Sequence, residues 1–165
     1  MPSRATPALD LARRAGIEHR VHSYALPERQ GRDRDARPDY GREAAAALGV
    51  EPARMFKTLI VTVDGRLAAA VVPVDRQLDL RRVAAALGGK SAALADPSVA
   101  ERASGSVVGG ISPLGLRRSM PLVVDSTATR FPTVYVSAGQ RGLQMELAPG
   151  DLVRLGTGIL APIGR

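Results

Sequence analysis

The sequence contains no cysteine and no tryptophan, and its only imidazoles are His19 and His22. Without thiols, a disulfide scaffold, a thiolate zinc site and a cysteine nucleophile are all excluded. Two histidines are too few for a His-rich metal site, so no metal is expected. Aromatics make up only 3% of residues against a hydrophobic fraction of 45%, so the core must be built from Ala, Val, Leu and Ile. No run approaches the ~18 to 20 apolar residues of a membrane span. The stretch Met1-Pro2-Ser3-Arg4-Ala5 lacks the apolar segment of a signal peptide. The expectation is a cytoplasmic protein with no membrane partner. Lysine is scarce too: of 23 basic side chains, all but Lys57 and Lys90 are arginine.

What is present is a chain of 165 residues, long enough to bury a core and short enough for one domain, 1–165. The formal charge is +7, which favours a polyanionic partner, with nucleic acid the first candidate. Many arginines stand beside acids, as Arg42 beside Glu43 and Arg102 beside Glu101, which is equally the pattern of a solvated face.

Thr6-Pro7 opens a helix as cap and first residue, and Gly16 closes it. Residues 17 to 24 alternate as a strand with one wet face. Residues 25 to 39 carry two Pro, a Gly and mixed Arg and Asp, and are expected to form a mobile loop. Asp39, Asp79 and Asp96-Pro97 are helix caps. Between them Met55 to Val63 is a β-branched run, turned by Asp64-Gly65 into a return strand over 66–74. Further strands are expected at 90–94, 106–108, 121–125, 133–137 and 143–147, a turn at 138–142, and a last helix from Pro149. The fold class is α+β: about seven strands in a mixed, mostly antiparallel sheet, with five helices.

Two familiar motifs fail on inspection. Gly89-Lys90-Ser91 lacks the earlier glycine of a P-loop, since position 84 is Ala, and a helix rather than a strand precedes it. Gly110-Ile111-Ser112 lacks the following glycine of a nucleophile elbow, and Pro113 has no N–H for an oxyanion hole. Lys57 alone, in its apolar run, is most simply a lysine that snorkels out at a strand edge. The Gly109-Gly110 pair lets backbone approach a ligand, though an ordinary turn needs no more.

In order and together, several stretches are more specific than any piece. They are Phe56-Lys57-Thr58-Leu59, Gln77-Leu78-Asp79-Leu80, Ala95-Asp96-Pro97, the run from Val108 to Gly115, and the run from Tyr135 to Leu143. With Thr6-Pro7-Ala8 in front and Glu146 to Asp151 behind, they resemble the YbaK family of aminoacyl-tRNA deacylases. These are free-standing relatives of the editing insertion of bacterial prolyl-tRNA synthetase. The resemblance implies a compact mixed fold and hydrolysis of the ester joining a wrong amino acid to tRNA, cysteinyl-tRNA(Pro) in the YbaK branch. It implies that Lys57 holds the substrate and that Gly109, Gly110, Ile111, Ser112 and Pro113 form the substrate loop. Tyr24, Tyr40, Thr58, Ser137 and Gly139 fall on or near the implied pocket. Gln144 stands where some relatives carry an acid, which bears on how the amino group is read. No cofactor is implied, and the substrate's own thiol is the implied attacking group. The implied partners are the aminoacylated 3′ end of tRNA and prolyl-tRNA synthetase. The alternatives are the same chemistry on another amino acid such as alanine, and a non-catalytic tRNA-binding module of the same fold.

Overall fold

A computed structural model describes residues 5–27 and 38–165. Most of the expected 25–39 loop therefore lies outside the described residues. Helix α1 (Pro7–Arg14) begins where predicted: Thr6 Oγ1 accepts from the Leu9 N–H at 3.2 Å. The same hydroxyl donates to the Ala138 carbonyl at 2.5 Å, which ties the helix start to a distant strand. Strand β1 (His19–Ser23) follows. Helix α2 (Tyr40–Leu48) is capped by Asp39 and ends at Gly49 in the left-handed conformation. A 3-10 turn at Pro52–Arg54 delivers the chain into β2 (Phe56–Val63).

Asp64 and Gly65 both take positive φ, the geometry of a tight hairpin turn, and lead into β3 (Arg66–Pro73). Then come α3 (Leu80–Ala86), β4 (Ala92–Leu94), α4 (Pro97–Ser104), β5 (Leu122–Asp125) and a 3-10 turn at Ser126–Arg130. The chain closes with β6 (Val134–Gln140), β7 (Leu143–Leu147), α5 (Pro149–Leu155) and β8 (Ile159–Ala161).

The class is α+β as expected, but the strands divide between two sheets. One is antiparallel, in the order β1-β7-β6; the other is mixed, in the order β4-β2-β3-β5-β8. Within the second, β2 runs antiparallel to β3 and β4, while β3, β5 and β8 are parallel. The central core fills the space between the sheets: Phe56, Ile60 and Val71 face Val136, Met145 and Leu147, with Leu9 of α1 and Leu152 of α5 closing it. On the other face of the five-stranded sheet, Val61, Val63 and Ala70 pack on Val83 and Ala84 of α3. A third cluster joins Ala44 and Ala45 of α2 to Met55, Val74 and Tyr135. Strand β2 feeds the first two clusters, one on each of its faces, and Met55 just before it joins the third, which is why its apolar residues do not simply alternate.

The strand expected at 106–108 does not form. The Val108 N–H is taken by the Glu101 carboxylate at 3.0 Å and its carbonyl by Arg141, so side chains use up the groups a ladder would need. The turn expected over 138–142 is narrower: β6 runs on to Gln140 through an irregularity between Ser137 and Gln140. Strand β8 and the 3-10 turn after β5 carried no sequence signal strong enough to predict them.

Candidate functional site

Strand alternation decides where Lys57 points. Phe56 and Ile60 enter the central core, whereas Met55 joins the α2 cluster on the other face. Lys57 shares the Met55 face, opposite Val72 of β3. On β6 the same division holds: Val136 and Ala138 enter the core, and Tyr135 joins the α2 cluster. A single parallel bridge, Met55 to Tyr135, brings the two strands together. One pair further along that register, Lys57 lies on one lip and Ser137 on the other, and no ladder continues between them.

Ser137 is buried and fully engaged. Its Oγ donates to the Gly110 carbonyl at 2.9 Å and accepts from the Gly139 N–H at 3.2 Å. It thus fastens the glycine loop to the end of β6. Two glycines there are obligatory. Gly110 lies so close to the β6–β7 turn that a Cβ would come within 2.7 Å of the Arg141 backbone nitrogen. Gly109 has φ of +90° and is pressed on the ring of Tyr40, 2.5 Å from where its Cβ would be. Arg141 completes the clamp: its Nε and a terminal nitrogen donate to the Val108 carbonyl at 2.9 and 2.6 Å, and the guanidinium stacks 4.3 Å from the Tyr40 ring centroid.

Gln144 is directly across the ladder from Ser137, on the same face. It is buried, and among the described residues its Oε1 has no hydrogen-bond partner. An unpaired buried carbonyl costs about 1–3 kcal/mol, so it is a place where a ligand donor would be stabilising. Tyr24 packs against the α2 cluster at the edge of this face. The N–H groups of Gly109, Ile111 and Ser112 donate to nothing among the described residues. That leaves a row of donors on a buried loop.

The structure therefore brings Lys57, Tyr40, Gly109, Gly110, Ser137, Gly139 and Gln144 to one region. Thr58 projects to the opposite face of β2 from Lys57, where its Oγ1 is buried without a partner among the described residues. Ile111 turns into the central core, Pro113 is buried, and the Ser112 Oγ accepts from the Leu114 N–H at 3.2 Å. Ser112, Gly139 and Arg117 line a cavity of about 250 Å³ on the far side of the loop, between it and the start of α1.

Sequence reasoning missed Arg141, which is hidden among many arginines and marked only by lying between Gln140 and Gly142. It also missed a polar cluster beside the site. Glu146 accepts from Thr133 at 2.6 Å, pairs with His22 at 2.9 Å and reaches Arg54 at 3.4 Å. Burial pushes its carboxyl up, but hydrogen bonds from Thr133, His22 and Tyr135 outweigh that and hold it below the ordinary value. Burial, then the Glu146 charge, pushes the Tyr135 phenol up. Among the described residues no group of three or more His, Asp or Glu is placed to hold a metal ion. No described helix is long and apolar enough to cross a membrane.

With no nucleophile–base pair at its centre, the arrangement offers a cation, fixed backbone donors and a neutral acceptor. Such a site can orient a substrate and stabilise negative charge on a carbonyl oxygen. The model of the aminoacyl-tRNA editing domain matches residues 39–155, which include the whole of this region. A protein of Enterococcus faecalis described as "Putative Cys-tRNA(Pro)/Cys-tRNA(Cys) deacylase EbsC" is 38% identical over 121 residues, 72% of this chain and 73% of its own. The proline–tRNA ligase of Moorella thermoacetica is 40% identical over 103 residues, which are 62% of this chain but only 18% of the ligase. A crystal structure titled as a putative trans-editing enzyme for prolyl tRNA synthetase shares the fold, with a TM-score of 0.81, 21% identity and 99% of each chain covered.

Proposed function

The chain belongs to the aminoacyl-tRNA editing domain family and is an aminoacyl-tRNA deacylase, and we propose that its substrate is cysteinyl-tRNA(Pro). What supports the reading is the Met55–Tyr135 bridge, whose register sets Lys57 beside the part of β6 where Ser137 bonds the glycine loop, and the hold that Arg141 has on that loop at Val108. The Lys57 ammonium holds a phosphate or ester oxygen at the acylated 3′ end. The loop N–H groups take the charge that develops on the ester carbonyl oxygen. The buried Gln144 Oε1 accepts from the α-ammonium of the amino acid.

Ser137 is committed to the loop, so the protein supplies orientation rather than a nucleophile. The substrate thiol attacks its own carbonyl carbon: the S–H bond breaks and a C–S bond forms, the C–O ester bond breaks, the terminal ribose oxygen leaves with the thiol's proton, and water then opens the resulting β-thiolactone to free cysteine. An aminoacyl ester is already activated, so modest stabilisation suffices. A role beside prolyl-tRNA synthetase follows the likeness to part of a proline–tRNA ligase. The cytoplasm, where tRNA is charged, is the proposed location.

The test is a deacylation assay in which cysteinyl-, alanyl- and seryl-tRNA(Pro) are offered to the wild type and to Lys57→Ala. Cysteinyl-tRNA(Pro) should be hydrolysed fastest, and Lys57→Ala should lose at least about 2.7 kcal/mol of transition-state stabilisation, a hundredfold in rate. Preferred hydrolysis of alanyl-tRNA(Pro) would move the assignment to another amino acid. An undiminished Lys57→Ala would remove Lys57 from the mechanism.

A further inference from the structure

Arg13, Arg42, Arg54, Arg82 and Arg154 each pair with a carboxylate. Arg102, Arg117 and Arg118 are exposed and pair with none among the described residues, and the fold sets them side by side. Arg102 is on the last turn of α4. The Arg117 N–H donates to the Ser104 carbonyl at 3.2 Å and the Arg118 N–H to the Ala103 carbonyl at 2.9 Å, so both hang from that same turn. The Arg117 side chain crosses over Gly105, its Nε 3.3 Å from where a Cβ would be. Arg102 and Arg118 line one shallow groove with Leu67 and Val99, and Arg117 lines the cavity behind the glycine loop with Ser112 and Gly139. The Glu101 carboxylate beside Arg102 is turned to the Val108 N–H and makes no ion pair with these arginines among the described residues. Favourable interaction with the helix dipole accounts for Arg102 but leaves Arg117 and Arg118, which lie beyond the helix, unexplained.

We propose that this ridge binds the backbone phosphates of the RNA acceptor arm, away from the acylated terminus that is held at the Lys57 side of the glycine loop. The proposal rests on the deacylase reading and names the surface by which that substrate is held. The guanidinium fork matches phosphate geometry. A protein partner would instead need a continuous apolar centre to its interface, and three exposed arginines around two small hollows do not supply one.

The experiment compares Arg102→Glu/Arg117→Glu/Arg118→Glu with a control of equal charge change, Arg81→Glu/Arg130→Glu/Arg165→Glu. Each is assayed on an aminoacylated acceptor-arm minihelix and on an aminoacyl-adenosine that has no stem. Binding of the uncharged minihelix is measured in parallel. The ridge variant should raise KM on the minihelix about tenfold or more and flatten its salt dependence by roughly two to three units of log–log slope. On aminoacyl-adenosine it should match the control within about twofold, because no phosphate contact is involved there.

A ridge variant no worse than the control on the minihelix overturns the proposal while leaving the deacylase reading intact. An equal loss on aminoacyl-adenosine also overturns it, because the arginines would then act on the loop. If the ridge variant binds the minihelix normally but loses prolyl-tRNA synthetase, the surface belongs to an acidic protein instead. If the wild type hydrolyses neither substrate yet binds the minihelix through the ridge, the deacylase reading falls and the ridge stands.

Discussion

Arg141 shows how much a single side chain sets here. Two of its N–H groups converge on one carbonyl, that of Val108, while its plane lies on Tyr40. Lysine keeps the charge but has neither the fork nor the flat face. Arg141→Lys should therefore lower kcat on cysteinyl-tRNA(Pro) about tenfold, a loss of about 1.4 kcal/mol in the transition state. Thermal melting should show the fold intact. If kcat is unchanged, Arg141 does not position the loop.

Gly110→Ala tests the same junction from the backbone side. Its new methyl would meet backbone atoms of Gln140 and Arg141 that no rotamer change can move aside. The loop must shift, so activity should be lost with a stability cost of about 1–3 kcal/mol. Urea unfolding checks the second figure. Lys57 was conspicuous as a charge in an apolar run, but on that ground alone it read as a snorkelling lysine, and its proposed role came only with the resemblance of the surrounding stretches to a family. Arg141 was not, because in a chain this rich in arginine one more carries no signal. Its role depends on a carbonyl 33 residues away.

At the scale of elements, β1 and β7 show what periodicity can and cannot tell. The alternation over 17–24 correctly marks a strand. It does not say which face is covered. Val21 proves 44% exposed, and His22 turns inward to Glu146, because the polar cluster already holds that side. Glu146 also makes this sheet sensitive to acid. Its folded carboxyl is held below the ordinary value, so its contribution is present above the unfolded carboxylate pKa and is lost as pH falls through the folded one. Glu146→Gln should lower stability at neutral pH and flatten the decline on acidification. Urea midpoints measured from pH 7 down to pH 3 give both. A variant whose midpoint falls as steeply as the wild type's would show that the acid sensitivity arises elsewhere.

The second sheet has a comparable anchor, at the scale of the whole molecule. Asp125 at the end of β5 is buried and accepts from the Ile163 and Gly164 N–H groups, each at 2.9 Å. Burial pushes its carboxyl up, yet hydrogen bonds from Thr127, Ile163 and Gly164 prevail and hold it below the ordinary value. The sign is therefore that of Glu146, and the pair should set the acid limb of the stability curve. Asp125→Ala leaves two buried N–H groups unsatisfied, about 1–3 kcal/mol each, and should cost more stability than any single surface change. A loss below about 1 kcal/mol in urea would mean that water reaches those groups.

The division into two sheets was not legible, because the Met55–Tyr135 bridge joining them is a single long-range contact with no local pattern. That β2 enters the core was, because an apolar, β-branched run reads as a strand going inward.

That location has a kinetic consequence. Strand β2 is laddered along its length to β3 and feeds an apolar cluster on each of its faces, so its amides can exchange with solvent only when the molecule as a whole opens. The lysine it carries should then keep its place until the fold is lost. On slow heating, enzymatic activity and the protection of β2 amides should disappear at one temperature.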